Sequence, residues 1–362
     1  MIVGVAGFTP SRLTLARERR GLTQRELSDA VGVSDRMIKA YESGEKSPTR
    51  ETLSVISTVL EFPCGFFEKP AADTLTLEAA SFRALTRASA TLRNRTVAAG
   101  TIAMEFHNYL AEKFEMRKPN VPDLRNCTPE RAAESVRHMW GIGQQPIPNV
   151  VNLLELYGVR VFSLSEDCDA IDAFSVWRNG IPFIFLNNRK TPERGIFDAA
   201  HELGHLTLHQ HGSPQGRDAE READVFASCF IMPESAIRAS VPRLPTIANI
   251  AAMKKTWRAS VAAIGYRLHE LGLMSDWHYK HFNIELSRRG RQNEPAPLAR
   301  ETSMILRKAL DELAKEGCGL RDIAKELHLP LSELQSLCFG MHAIEGGGGG
   351  GSGRRGMLRA VK

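Results

Sequence analysis

The sequence predicts a mainly α-helical chain with a small β-sheet in a central α+β domain, an all-α unit before it and a small helical unit after it. Three observations lead to this class. Apolar residues recur at helical spacing over most of the 362 residues, with Ser, Thr and Gly at the helix ends. Only the stretch "GVRVFSLSEDCDAIDAFSVWRNGIPFIFLNN" is rich in short β-forming runs, and its "RNG" reads as a hairpin turn before Ile181. At 43% hydrophobic and 25% charged residues, a chain of this length is an ordinary globular polypeptide that packs as two or three units.

The same composition excludes several classes. The longest apolar stretches, such as "GIPFIFLNN" at 180–188, fall far short of the roughly 20 residues of a membrane helix. The N-terminus "MIVGVAGFTPSRLTLARERRG" lacks a signal-peptide layout, so a soluble, cytoplasmic protein without a membrane partner is expected. Six scattered cysteines (Cys64, Cys127, Cys168, Cys229, Cys318 and Cys338) form no CxxC pair, which suits packed reduced thiols and leaves any metal to His and carboxylate. Of the net charge of +5, residues 341–362 supply +3, from four Arg/Lys against one Glu. Net charge therefore decides nothing about partners.

In chain order, residues 1–70 carry helical spacing and end in "EFPCGFFEKPAAD", which reads as a linker. Residues 71–144 are a helical linker or interaction region containing "FRALTRASATLRNR", four arginines without an acid, suited to a solvated helix face or to DNA phosphates. Residues 145–292 hold the β-rich runs and the longest helices. Residues 298–340 form a small helical unit, and 341–362 a flexible Gly-rich basic tail outside the fold.

Within the first unit, "LTQRELSDAVGVSDRMIKAYESGEKSP" is punctuated for two short helices. Thr23 with Glu26 makes a capping box, Gly32 permits a sharp turn, Ser34 caps the next helix and Gly44 stops it. Leu27, Ala30, Val33, Ile38 and Tyr41 form the shared seam, leaving Asp35, Arg36, Lys39 and Ala40 outward on the second helix. That layout suits a recognition helix, whose first residues meet base edges. The "TQ", "GVS" and "YESG" signatures closely resemble the Cro/repressor-type (XRE-like) helix-turn-helix over about residues 11–68. The resemblance implies binding to a double-stranded DNA operator as a homodimer. It places Gln24 on phosphate and Asp35, Arg36 and Ala40 at base-reading positions, with Ser34 and Lys39 beside them. Ala40 departs from the usual base readers, and Asp35 either caps the helix or selects cytosine.

The central unit contains "HELGHLTLHQH" at 201–211, four histidines and a glutamate in eleven residues. On a helix, His201 and His205 project from one face, close enough to hold one metal ion. Glu202 beside them is placed to take a proton from a water that the metal activates: the HExxH pattern. Two candidates compete for the third ligand. His211 has the spacing of the HExxHxxGxxH class, but Leu208 stands where that class has its turning glycine. In "DAEREADVFASCFIMP", Glu220 and Asp224 lie four apart, giving a carboxylate ligand and an acid able to orient a ligand histidine. Glu220 is the expected ligand, Asp224 the expected orienting residue and Glu222 the fallback. His209 reaches the site or merely covers it.

Three motifs in order, "ERGIFDAAHELGHLTLH", "EREADVFASCFIMP" and "WRASVAAIGYRLHELGLMSD", resemble the ImmA/IrrE-type metallopeptidase-like family over roughly residues 145–290. The resemblance implies a zincin-like, zinc-dependent endopeptidase acting on repressors or antitoxins related to the helix-turn-helix class, linked to stress response and mobile elements. It equally fits a non-proteolytic repressor or antitoxin-like protein whose peptidase-like domain senses a ligand or binds a toxin partner. Zinc is the expected metal, with Mn2+ or Fe2+ compatible with two histidines and one carboxylate. Tyr266, Arg267 and His269 are the available oxyanion stabilisers, and "AIDAFSVW" is either plain sheet core or an edge for an extended substrate.

In the last unit, "GLRDIAKELHLPLSELQSLCFG" repeats the helix, turn, helix rhythm with Ile323, Ala324, Leu327, Leu329, Leu334 and Leu337 as its seam. Its second helix has no Arg or Lys for phosphates, so packing or dimerisation is expected rather than DNA reading.

Overall fold

The computed structural model describes residues 5–75, 89–164, 171–210, 216–243, 245–289, 295–341 and 359–360. His211, Cys168, the first part of the basic stretch (82–88) and nearly all of the Gly-rich tail lie outside them. The chain divides into two compact units. One comprises Met1–Ala79, Leu85–Met116 and Ile305–Lys362; the other comprises Ala80–Ala84 and Arg117–Met304.

The first unit opens with α1 (Pro10–Arg19), α2 (Gln24–Val31), α3 (Asp35–Glu42) and α4 (Arg50–Leu60). The Thr23 capping box is formed, with Glu26 Oε2 accepting from Thr23 N at 2.7 Å, and Gly32 ends α2 at φ 77°. That left-handed turn costs a glycine nothing sterically. The seam includes Leu27, Ile38 and Tyr41, whereas Ala30 is exposed and Val33 half-buried. "EFPCGFFEKPAAD" is not a linker. Its Phe62, Phe66 and Phe67 are fully buried around a 3-10 turn, with Arg20 and Arg12 stacked over Phe62 and Phe66. Three aromatic side chains represent too much apolar area to leave in water.

The expected region 71–144 is split between the units. Its first helix, α5 (Ala90–Lys113), packs on α1 in the first unit, where Asn94 donates to Glu18 at 3.0 Å and Thr91 and Arg95 lie against Gly21. The described part of the basic stretch is thus a packed face. A two-residue strand, β1 (Phe114–Glu115), follows.

The second unit begins with α6 (Pro129–Met139) and α7 (Val150–Leu156), then β2 (Arg160–Leu164), β3 (Ala173–Arg178) and β4 (Ile181–Asn187). The sheet order is β2-β4-β3, with β4 parallel to β2 and antiparallel to β3. Asn179 and Gly180 form the hairpin loop at φ 50° and 73°, as "RNG" predicts for a primed turn. Two long helices pack together beside the sheet, α8 (Pro192–Leu208) and α9 (Arg217–Ile231), followed by α10 (Glu234–Ser240), α11 (Ile247–Trp257), α12 (Val261–Glu270) and α13 (Asp276–Arg289). No helix among the described residues is long and apolar enough to cross a membrane.

Buried charges anchor this unit. Glu193, in the first turn of α8, pairs with the fully buried Lys254 at 2.8 Å and accepts from Leu298 N. Glu301 accepts from Val150 N and Val151 N at the start of α7 and pairs with Arg258. The strap 295–303 is thereby fastened to the front of the helix that carries the histidines.

α14 (Met304–Lys315), α15 (Leu320–Glu326) and α16 (Leu331–Leu337) complete the first unit rather than standing alone. All six expected seam residues are buried. Glu333 reaches Arg19 at 2.7 Å and also pairs with Arg20, and Tyr109 donates to Glu326 at 2.7 Å. Most of the tail lies outside the described residues, but Arg359–Ala360 form a short strand, β5, antiparallel to β1.

Candidate metal centre and nucleic-acid interface

The histidine pair depends on one close helix crossing. α8 starts at Thr191, whose hydroxyl accepts from Arg194 N, with Pro192 in its first turn, so Ala200, His201 and His205 fall in regular helix. Gly204, between the histidines, faces α9 so closely that a Cβ would lie 3.2 Å from Ala223 Cα and 3.1 Å from the Phe226 ring. With no side chain there, α9 approaches far enough for its carboxylates to reach the imidazoles.

His201 Nε2 and His205 Nε2 stand 3.1 Å apart, and Glu220 faces both, its oxygens 3.6 Å and 3.4 Å away. One ligand atom from each of the three residues falls within a 4.8 Å group. Donors around one tetrahedral zinc at bonds of about 2.0–2.2 Å are spaced roughly 3.3 Å apart, so two nitrogens and one carboxylate oxygen fit that ion. Among the described residues no cysteine joins the group: Cys64, Cys127, Cys229, Cys318 and Cys338 are free thiols.

The remaining nitrogens are occupied. His201 Nδ1 lies 2.9 Å from Asp224 Oδ1, leaving Nε2 for the shared point. Burial alone lowers the His201 pKa, but the carboxylates of Asp224 and Glu220 outweigh it and hold it up at about 10. Burial likewise opposes the charge on Glu220, and the two histidines overcome it, holding that carboxyl well below the usual range.

Glu202 is 3% exposed, and its Oε2 accepts from Ser175 Oγ at 2.6 Å. Ser175 lies on β3, so the sheet holds the carboxylate on α8. Sequence spacing gave no sign of this partner, because only the packing of a strand on a helix brings residues 175 and 202 together. Asp198, one turn before Glu202, pairs with Arg194 at 2.9 Å and is raised to about 7 chiefly by burial. His209 caps the end of α8 and Glu222 turns to it at 2.9 Å rather than to the ligand group.

The oxyanion candidates diverge. Arg267 is buried, donating to Met232 O and pairing with Glu270 at 2.6 Å. His269 pairs with Asp276 at 2.8 Å and stacks on Tyr279. These contacts hold α12 in place. Tyr266 is exposed on the same helix.

On α3, Arg36 and Lys39 are exposed, and Lys39 pairs with Asp35 at 2.8 Å. Ala40 is not an outward residue: at 6% exposure it belongs to the core, because α3 is covered by both α1 and α2. Ser34 occupies the N-cap position of α3, but its hydroxyl makes no capping bond. Gln24 Nε2 donates to Glu42 at 2.6 Å, and Glu42 is held by Arg17 at 2.6 Å, so Gln24 braces the start of α2 against the end of α3.

Two family models match the chain. Residues 13–67 match the Helix-turn-helix family model and residues 154–269 match the IrrE N-terminal-like domain. No curated protein matches the chain. The first match spans α1 to α4, and the second contains His201, His205, Glu220 and Glu202. One chain therefore carries an XRE-type helix-turn-helix DNA-binding domain and an ImmA/IrrE-like metallopeptidase domain.

Proposed function

We propose that the protein is an operator-bound repressor whose zinc endopeptidase site cleaves itself or a partner repressor or antitoxin on a signal. The observation that carries this reading is the convergence of His201, His205 and Glu220 on one point, with Glu202 beside them on the same helix. A zinc ion there supplies Lewis acidity, activating water and polarising a peptide carbonyl. Glu202 takes the proton from the attacking water and returns it to the leaving amine. Ser175 keeps the Glu202 carboxylate oriented as the base. β3 is the edge of its sheet and carries Ser175, so a substrate strand laid along it by main-chain hydrogen bonds runs past the base.

On the DNA side, Asp35, Arg36 and Lys39 meet the duplex, with a homodimer reading a palindrome.

The test is zinc content of purified wild-type and His205→Ala protein, with mass spectrometry of wild type and Glu202→Gln after incubation with candidate repressors and operator DNA. Stoichiometric zinc with Glu202-dependent fragments supports a protease switch. Zinc without fragments leaves cleavage dependent on a signal or substrate not supplied, and absence of zinc supports the alternative, a non-proteolytic repressor whose peptidase-like domain senses a ligand or binds a partner.

A further inference from the structure

Behind His205 lies a second histidine. His205 directs Nε2 to the ligand group, and its Nδ1 lies 2.9 Å from His209 Nδ1. His209 Nε2 in turn lies 2.9 Å from Glu222 Oε2. The His209 side chain is 6% exposed and that of Glu222 39%. Neither residue faces the ligand point, and neither is needed to close the cluster.

Hydrogen-bond bookkeeping orders this chain in one direction. A histidine that offers Nε2 as a ligand carries its proton on Nδ1, so His205 Nδ1–H donates and His209 Nδ1 accepts. A neutral His209 that accepts at Nδ1 has its proton on Nε2, and that N–H points at the Glu222 carboxylate, which can only accept. Every donor has an acceptor, and the other tautomer at either ring would set two N–H groups or two lone pairs against each other.

We infer that His209 and Glu222 are positioning residues for the metal centre: Glu222 fixes the tautomer of His209, and His209 fixes the ring orientation and tautomer of His205 so that Nε2 stays a ligand. The inference rests on the zinc-site reading and deepens it. The two ligand histidines are thus braced differently. Asp224 holds His201 directly at 2.9 Å, whereas His205 is held by an imidazole that passes the constraint to a carboxylate on the same helix α9. Outer partners of this kind typically govern metal affinity by about 10–100-fold.

The test measures zinc affinity of the full chain by competition with a chromophoric chelator, for wild type, His205→Ala, Glu222→Ala, Glu222→Gln, His209→Phe and the double variant His209→Phe/Glu222→Ala. The relay predicts one zinc in wild type, weaker binding by about tenfold or more in Glu222→Ala and His209→Phe, and near-wild-type affinity in Glu222→Gln, whose amide oxygen still accepts from His209. Because the two residues act in series, the double variant binds no more weakly than His209→Phe alone. Glu222 is partly exposed, so its truncation leaves the metal-free melting temperature unchanged and the Ala/Gln pair decides the matter even if His209→Phe does not fold. Wild-type affinity in Glu222→Ala, failure of Glu222→Gln to restore it, or losses that multiply in the double variant would overturn the relay. If wild type takes no zinc, or His205→Ala takes it equally well, the site itself falls and the relay with it.

Discussion

Two helical hairpins share the first unit, with the same helix, turn, helix rhythm but opposite surroundings for their second helices. α2 turns into α3 through Gly32, and the residues opening α3, Asp35 and Arg36, are left accessible with Lys39 one turn on. α15 turns into α16 through His328, at φ 53°, and Pro330, and the acid in the first turn of α16, Glu333, is buried against Arg19 and Arg20. The same rhythm therefore leaves an accessible face bearing Arg36 and Lys39 in one case and makes a buttress in the other. What separates them is charge and exposure rather than backbone: a phosphate-binding face needs free cations, and α16 offers a carboxylate that is already neutralised.

The sharpest way to break this contrast is Glu333→Ala. Arg19 and Arg20 would both lose the buried carboxylate that pairs with them, so a loss of about 3–5 kcal/mol is expected in denaturant unfolding; a loss below about 1 kcal/mol would show that the second hairpin is not a buttress. Acid should reproduce the effect. Burial works against the Glu333 charge, but Arg19 and Arg20 outweigh it and hold the carboxyl below its ordinary 4.5. A depressed folded pKa means the contribution is complete above about 4.5 and is lost as pH falls through the folded value, so Glu333→Ala and wild type should converge in stability only at the acid end of a pH series.

Arg36→Ala tests the other hairpin and should do the reverse. Operator affinity falls by about 1–3 kcal/mol, measured at fixed salt, while unfolding shifts by no more than about 0.5 kcal/mol. Equal binding by wild type and variant would remove Arg36 from the interface. The smallest effect is expected at the turn, where Gly32→Ala forces a Cβ into the left-handed region and costs about 1–2 kcal/mol. No atom lies within 4 Å of the added carbon, so backbone strain alone is read out in that measurement.

Much of this was legible because it is local. Thr23 with Glu26, Gly32, and the primed turn at Asn179 and Gly180 are decided by residues a few positions apart, and the helical repeat put His201 and His205 on one face. Local patterns failed where burial was settled by a third element. Ala40 looked outward until α1 and α2 both covered α3, and the prolines around Phe62, Phe66 and Phe67 looked like a linker until those rings packed under Arg12 and Arg20.

The sequence by itself determined which helices form and which residue types are available for metal and DNA, since capping, turn and periodicity act within about four residues of chain. Only the tertiary structure decided how those residues are used. Gly204 lets α9 approach, so Glu220 meets both histidines, Asp224 meets one and Glu222 turns to His209. Ser175 reaches Glu202 from a strand 27 residues away in sequence. The directions and proton positions of such side chains depend on partners brought close by packing, and those partners have no fixed offset along the chain.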